Sequence, residues 1–283
     1  MKAMILAAGL GTRLRPLTDT RPKALVEING RTLLEITLTR LRAFGITEVI
    51  INVHHLAAQI IDYLNSKNDF NLRIEISRED DLLLDTGGGL KKAAWFFLED
   101  PKNLDEPFLL HNVDVLSTID FTQMLQFHKD HHALAALAVQ SRPSSRQLLF
   151  DNNLQLRARR TSSERDGTTS VQPGAERLVP NGVESSGFRE GTTSVVPKTS
   201  ERLGASAPEA VLLPLAFSGI HLISPRLLPL LTEAGPFSII DSYLRLAAQG
   251  HPILAFRADH YYWRDLGRPA DLTQATIDLQ QNA

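Results

Sequence analysis

Gly9, Gly11, Arg13, Arg15 and Lys23 crowd into one N-terminal stretch, MKAMILAAGLGTRLRPLTDTRPKALV. Glycines at 9 and 11 let backbone approach a ligand closely and take positive φ. Arg13 and Arg15 bring permanent positive charge to the same place, and Lys23 adds more after Pro22. Cations beside a glycine loop suit a triphosphate, whose negative charge must be neutralised on burial. A tight turn with solvated arginines is the plainer reading. The two common glycine-loop patterns do not apply. Leu14 stands where a dinucleotide fingerprint needs its third glycine, and no Gly-Lys-Ser/Thr follows for a P-loop. The length of the pattern, running on to PKALV, favours the phosphate reading over the turn.

Gly87, Gly88 and Gly89 form a second glycine run, in DTGGG. It reads either as a flexible strand-to-helix loop or as a bare surface on which a flat base can lie. The histidines offer less. His54-His55 and His131-His132 are adjacent pairs, without the i, i+4 spacing of a helical metal site. His111, three residues before Asp114, is the exception to watch.

Composition narrows the classes open to the chain. It has 30 basic and 32 acidic residues and no cysteine. The near balance of charge argues against a surface built for nucleic acid or anionic membrane, so basic sites must be local. Disulfides, zinc-thiolate sites and thiol catalysis are excluded. No apolar run approaches the ~20 residues of a membrane span, and the short apolar start lacks the pattern of a secretory leader. A soluble, cytoplasmic protein is expected, monomeric or homo-oligomeric.

These residues need a scaffold, and the first half of the chain alternates strand and helix signals. KAMILAA, EVIINV, LRIEIS, PFLLHNVDV and ALAALAVQ read as strands. TLLEITLTRLRAFG, LAAQIIDYLNS and FTQMLQFHKDH read as helices, as does a segment from about Leu90 to Leu98. Alternation of this kind predicts an α/β fold with a Rossmann-like mixed, mostly parallel sheet flanked by helices. Ligands of such sheets bind at the carboxyl ends of strands, where the glycine loop, DTGGG and Asp114 fall. LLFDNNLQL predicts a hairpin turning at Asn152-Asn153. From 158 to 210 apolar periodicity is lost, and DGTTSVQPGAERL is echoed by EGTTSVVPKTSERL. Two polar copies cannot bury a core, so this stretch is expected to be a disordered repeat insertion. LLPLAFSGIHLIS, PILAFRA and YYWRDLG then return strand signals, with helices at IDSYLRLAAQG and PADLTQATIDLQQ. The expectation is one domain over 1–283 carrying the insertion.

LAAGLGTRLRPLT followed by RPKALVEING resembles the signature of the sugar-1-phosphate nucleotidylyltransferases. DTGGGLKKA is similar to that family's base loop, NVDV to its metal-binding strand end, FSGIH to a sugar-side strand and WRDLGRPADL to its W-x-D-x-G segment. Within the family, the triple glycine and compact C-terminus look most like N-acetylmuramate 1-phosphate uridylyltransferases, with mannose-1-phosphate guanylyltransferases close by. Val113 is a departure, since the family usually has Gly or Ser there.

The resemblance implies the nucleotide-diphospho-sugar transferase fold and a nucleoside triphosphate and sugar 1-phosphate as substrates. It implies nucleotide contacts at Ala7, Ala8, Gly9, Gly11, Thr12, Arg13, Lys23, Gly87 and Gly88, and sugar contacts at Asn112, Gly219 and Asp241. Asp241 reads equally as a residue near a helix N-cap. Asp114 and Asp265 are implied as ligands of Mg²⁺, and carboxylates at neighbouring strand ends suit that ion. Arg13, Lys23 and Asp114 are the implied catalytic residues, and Arg15 receives no role. Two other readings are a catalytically silent binding subunit on the same fold and a nicotinamide-dependent oxidoreductase. The second is disfavoured by NVHH where an acidic ribose-binding residue is needed.

Overall fold

The computed structural model describes residues 1–99, 105–162, 169–173 and 212–281. β1 (Lys2–Leu6) leads through the glycine loop to a small hairpin, β2 (Glu27–Ile28) and β3 (Arg31–Thr32). Then come α1 (Leu33–Ala43), β4 (Glu48–Val53), α2 (Ala57–Ser66), β5 (Arg73–Arg78), α3 (Asp85–Lys92) and α4 (Ala94–Leu98). β6 (Phe108–Asn112), β7 (Val115–Ser117), α5 (Phe121–Asp130) and β8 (Ala135–Gln140) follow. β9 (Arg146–Phe150), β10 (Leu156–Ser162) and β11 (Thr169–Pro173) form an antiparallel ribbon. β12 (Leu213–Ile223), α6 (Ile239–Ala248), β13 (Ile253–Arg257), β14 (Trp263–Asp265) and α7 (Pro269–Gln281) complete the chain.

The central sheet is mixed, in the order β11-β10-β9-β12-β6-β1-β4-β5, with β8 beside β12 and β13 beside β8. β5, β4, β1 and β6 run parallel, and β12 is antiparallel to β6, β8 and β9. The apolar runs are continuous because both faces are covered. Ala3 and Ile5 join Val49 and Ile51 on the side packed by α1 and α2, whereas Met4 and Ile50 face Phe96, Tyr243 and Leu246 on the other. Each large side chain so buried contributes about 1.5–3 kcal/mol. Polar side chains start the helices: Thr32 caps α1 through the Glu35 N–H at 3.0 Å, and Asp120 and Ser238 cap α5 and α6. Gly45, at φ 76, stops α1 where the sequence places the stop.

Two expectations shift. Residues 158–162, placed in the insertion on sequence, continue β10 and pair with β9 and β11. Their signal is Arg-rich and so lacks apolar alternation. The rest of the repeat, at 163–168 and 174–211, lies outside the described residues apart from β11. Among those described, no helix is long and apolar enough to cross a membrane.

The second shift concerns DTGGG, which is the first part of α3 and not a loop before a helix. Glycine costs about 1 kcal/mol per residue in a helix relative to alanine, so local propensity points away from this outcome. Tertiary packing reverses it. A Cβ on Gly87 would overlap the Phe237 ring, one on Gly88 would lie 2.7 Å from the Gly235 carbonyl oxygen, and one on Gly89 2.8 Å from Glu79 Oε1. All three glycines are buried, and the Gly87 N–H donates to the Phe237 carbonyl at 2.9 Å. The helix can dock only because these positions are bare. Gly87→Ala is expected to lower stability by about 1–3 kcal/mol, as overpacking does. Phe237→Ala in the same chain should recover part of that loss; urea denaturation of the single and double variants measures both.

Candidate active site

At the carboxyl ends of β1, β4 and β6 a cavity of about 440 Å³ opens, lined by the loop after β1, by Asn52, by Asn112–Asp114 and by the start of α3. Ala7, Ala8, Gly9, Gly11, Thr12, Arg13 and Lys23 all line it, as do Asn112 and Asp114. The loop's shape depends on Gly11. Its φ is 64°, and a Cβ there would sit 2.9 Å from Thr18 Cγ2 and 3.2 Å from Lys23 Cβ. Thr18 Oγ1 donates to the Gly11 carbonyl at 2.8 Å, so the loop folds back on the stem of Lys23.

Lys23 lies in a single 3-10 turn after Pro22 and is only 8% exposed. Its ammonium is in contact with the Asp114 carboxylate. An amine this deep needs an anionic partner, because desolvation of an unpaired charge costs several kcal/mol. Asp114 sits between β6 and β7, where the parallel strand ends. The β7–β14 ribbon, registered Asp265 opposite Val115, brings the C-terminal carboxylate alongside. The Leu266 N–H donates to the Asp114 carbonyl at 2.8 Å and closes that ribbon.

Asp265 faces Arg13, with Nη2 to Oδ1 at 4.0 Å. Burial, and then the neighbouring charge of Asp114, pushes the Asp265 carboxyl above the usual range, while Lys23 and Arg13 oppose the shift. Two cations and two carboxylates thus lie close together at one corner, with Arg13, Lys23 and Asp114 lining the cavity and Asp265 behind them. Gly267 makes room for them: a Cβ there would overlap Asp265 Oδ1 and lie 2.6 Å from Arg13 Nη2. Its N–H donates to Asp265 Oδ1 at 2.8 Å and fixes the carboxylate.

A divalent ion fits this donor set. Among the described residues no cluster of three or more metal-ligating side chains occurs, so the protein offers the oxygens of Asp114 and Asp265. Mg²⁺ is commonly held by one or two carboxylates, with phosphate oxygens and water completing its shell. A soft or nitrogen-preferring metal would find no sulfur and no imidazole lining the cavity. His111 is buried beside the Phe121 ring and its Nδ1 meets the Asn112 carbonyl at 2.7 Å. Burial and nearby Arg40 push it down to about 4, so it is neutral and turned to the core.

The structure separates other sequence candidates from this cavity. Gly87 and Gly88, expected against the nucleotide, pack on Phe237 and Gly235, and it is Leu83, Asp85 and Thr86 just before them that line the cavity. Gly219, at φ 72, backs the site: a Cβ there would lie 2.8 Å from Asn112 Nδ2 and 2.9 Å from Val115 Cγ2. Asp241 lies in the first turn of α6 and pairs with Arg159 of β10 at 3.0 Å. Arg15 pairs with Asp19 at 3.2 Å and is exposed. Val113 is buried and lines the cavity. Sequence reasoning missed Thr18, Asn52, Glu79 and Gly267. Asn52 ends a strand next to the first one, which is a usable signal; the others act through contacts that only the fold creates.

A family model described as nucleotidyl transferase matches residues 2–147. The chain is 44% identical over 126 residues to N-acetylmuramate alpha-1-phosphate uridylyltransferase of Neisseria meningitidis serogroup B, covering 44% of this chain and 52% of that relative. It is 29% identical over 272 residues to the Caulobacter vibrioides protein of the same name, covering 94% and 92%. To mannose-1-phosphate guanyltransferase of Emericella nidulans it is 39% identical over 132 residues, covering 46% and 35%. The match therefore spans about half of the first relative and about a third of the last. A solved UDP-glucose pyrophosphorylase complexed with UDP-glucose superimposes with a TM-score of 0.66 at 17% identity, covering 100% of this chain and 99% of that one. That likeness is one of fold.

Gly267→Ala is expected to displace Asp265 or Arg13 and, on the function proposed below, to reduce turnover at least tenfold. The melting temperature should move little, because the position lies in a loop. Parallel activity and thermal-melt measurements check both.

Proposed function

The chain belongs to the nucleotidyl transferase family, and on that premise we propose that it joins a nucleoside triphosphate to a sugar 1-phosphate and releases pyrophosphate. The single observation that carries this reading is the corner where Lys23 meets Asp114 and Arg13 meets Asp265 beside a glycine loop. A phosphate oxygen of the sugar 1-phosphate is already an anion. It attacks the α-phosphorus, the new P–O bond forms, and the bond to the β-phosphate breaks. No side-chain base is needed, so the residues act by positioning and neutralisation.

Bound at Asp114 and Asp265, Mg²⁺ would supply Lewis-acid neutralisation of the departing phosphates. Lys23 is placed to meet phosphate close to the reacting centre, and Arg13, more exposed, to meet the outer phosphates. In the free protein each cation is balanced by a carboxylate. On this reading Gly9, Gly11 and Thr12 present the loop to the same phosphates, and Asn112, which lines the cavity with Gly219 behind it, is assigned to the sugar. Ala7, Ala8 and the start of α3 form the wall left for the base.

Uridylyl transfer to an N-acetylmuramate 1-phosphate is the substrate reading we favour, because that relative aligns along 94% of this chain. Guanylyl transfer to a mannose 1-phosphate is the second, supported by the relative from Emericella nidulans. Pyrophosphate release from UTP, GTP, dTTP and CTP, each crossed with several sugar 1-phosphates, separates them. Absence of release from every pair, in folded protein with Mg²⁺, would overturn the proposal. Asp114→Asn should retain the native circular dichroism spectrum and lose roughly 10²-fold or more in rate, with a comparable loss for Lys23→Ala. Near-normal turnover in Asp114→Asn would remove that residue from the reacting centre.

A further inference from the structure

Behind the cavity lies a carboxylate that the reaction above does not use. Glu79 follows β5, is 1% exposed, and forms no ion pair with any lysine or arginine among the described residues. Its two oxygens are nonetheless both engaged. Oε1 accepts from Asn52 Nδ2 at 2.7 Å, and Oε2 accepts from the Leu84 N–H at 2.8 Å. Asn52, 3% exposed at the end of β4, passes the connection on, because its Oδ1 accepts from the Ala7 N–H at 2.8 Å. Ala7 begins the glycine loop, and Leu84 directly precedes α3.

We propose that Asn52 and Glu79 form a buried relay that sets the spacing between the phosphate loop and the base-side wall of the cavity. They are positioning residues, and this role rests on reading the cavity as a nucleotide site. Both ends of the relay are backbone N–H donors, so both ends need acceptors. The middle then needs one donor and one acceptor. An amide and a carboxylate together satisfy this pattern, and two amides or two ionised carboxylates do not. Gly89 supplies the space: a Cβ there would lie 2.8 Å from Glu79 Oε1 and 2.9 Å from Asn52 Nδ2. The third glycine of DTGGG is thereby tied to the relay and not to a ligand. The Ala7 N–H, committed to Asn52, is closed to the nucleotide.

The logic makes a reciprocal test possible. Glu79→Gln leaves two amides, so one backbone N–H or one amide hydrogen must face another donor. Asn52→Asp sets two carboxylates against each other. Combining them, N52D with E79Q, restores the pattern with the carboxylate moved to the other residue. Amide hydrogen exchange at Ala7 and Leu84 in the ligand-free full chain should accelerate roughly tenfold or more in E79Q, as the loss of a buried hydrogen bond predicts. The double variant should return to within about threefold of the parent chain.

Calorimetry with Mg²⁺ and whichever of UTP, GTP, dTTP or CTP binds best should show E79Q weakened by a similar factor and the double variant recovered. Affinity for inorganic tripolyphosphate, which has no base, should stay within about threefold throughout; a general loss of folding would lower it too. Unchanged exchange and unchanged nucleotide affinity in E79Q would overturn the relay. So would a double variant no better than E79Q, or equal losses for tripolyphosphate and nucleotide. Should the parent chain bind no nucleoside triphosphate, the proposed function fails, and the exchange measurements alone decide whether the two side chains act as one.

Discussion

Burying an ammonium beside a carboxylate at the end of a parallel strand is the demand around which the rest of this molecule is arranged. Each of Lys23 and Asp114 offsets the desolvation of the other at that depth. Pro22 and the short turn after it aim Lys23 inward, Gly11 clears its stem, and β6 ends where Asp114 must stand. A second, looser pair, Arg13 with Asp265, then adds a further positive and negative charge without changing the net charge. The corner is thus neutral when empty and rich in separable charges. That combination suits a ligand bringing phosphates together with their own counter-ion.

The parallel half of the fold was legible because its physics is local. Continuous apolar runs with helical segments between them have few solutions, and strand ends are where such sheets bind ligands. The glycine loop with Arg13 and Lys23 stood out by type and spacing, Asp114 through the family resemblance, and the fold brings all three to one cavity. The glycines of DTGGG could not be read correctly from sequence, because bareness has two opposite uses. Bareness toward a ligand and bareness toward Phe237 leave the same letters. LLFDNNLQL gave away the β9–β10 turn, but the Arg-rich end of β10, residues 158–162, was hidden for a related reason: it pairs with β9 and β11 through backbone, and its side chains after Ala158 carry no apolar alternation. Glu79 gave no signal at all, since a carboxylate satisfied by two N–H donors looks in sequence like any surface acid.

Rigidity is distributed unevenly around the cavity. One wall is tied through hydrogen bonds from Ala7, just after β1, to β4 and on to the turn before α3, the first two of them buried. The opposite wall depends on a three-residue ribbon, β7 with β14, and on exposed Arg13. Contacts needed to grip a base gain from a fixed frame. Groups that must exchange partners as phosphates arrive and leave gain from being less tightly held.

The β7–β14 pairing also has a consequence for charge. Asp265 and Gly267 stand near the far end of the chain, while Arg13 and Lys23 stand near its beginning. Lys23 and Asp114 are held by the β1–β6 half of the sheet, whereas Asp265 reaches them only through the β7–β14 register. Without that pairing, two cations, Arg13 and Lys23, would face the single carboxylate of Asp114. A three-residue pairing between distant parts of the sequence is therefore what balances charge at the end of β6.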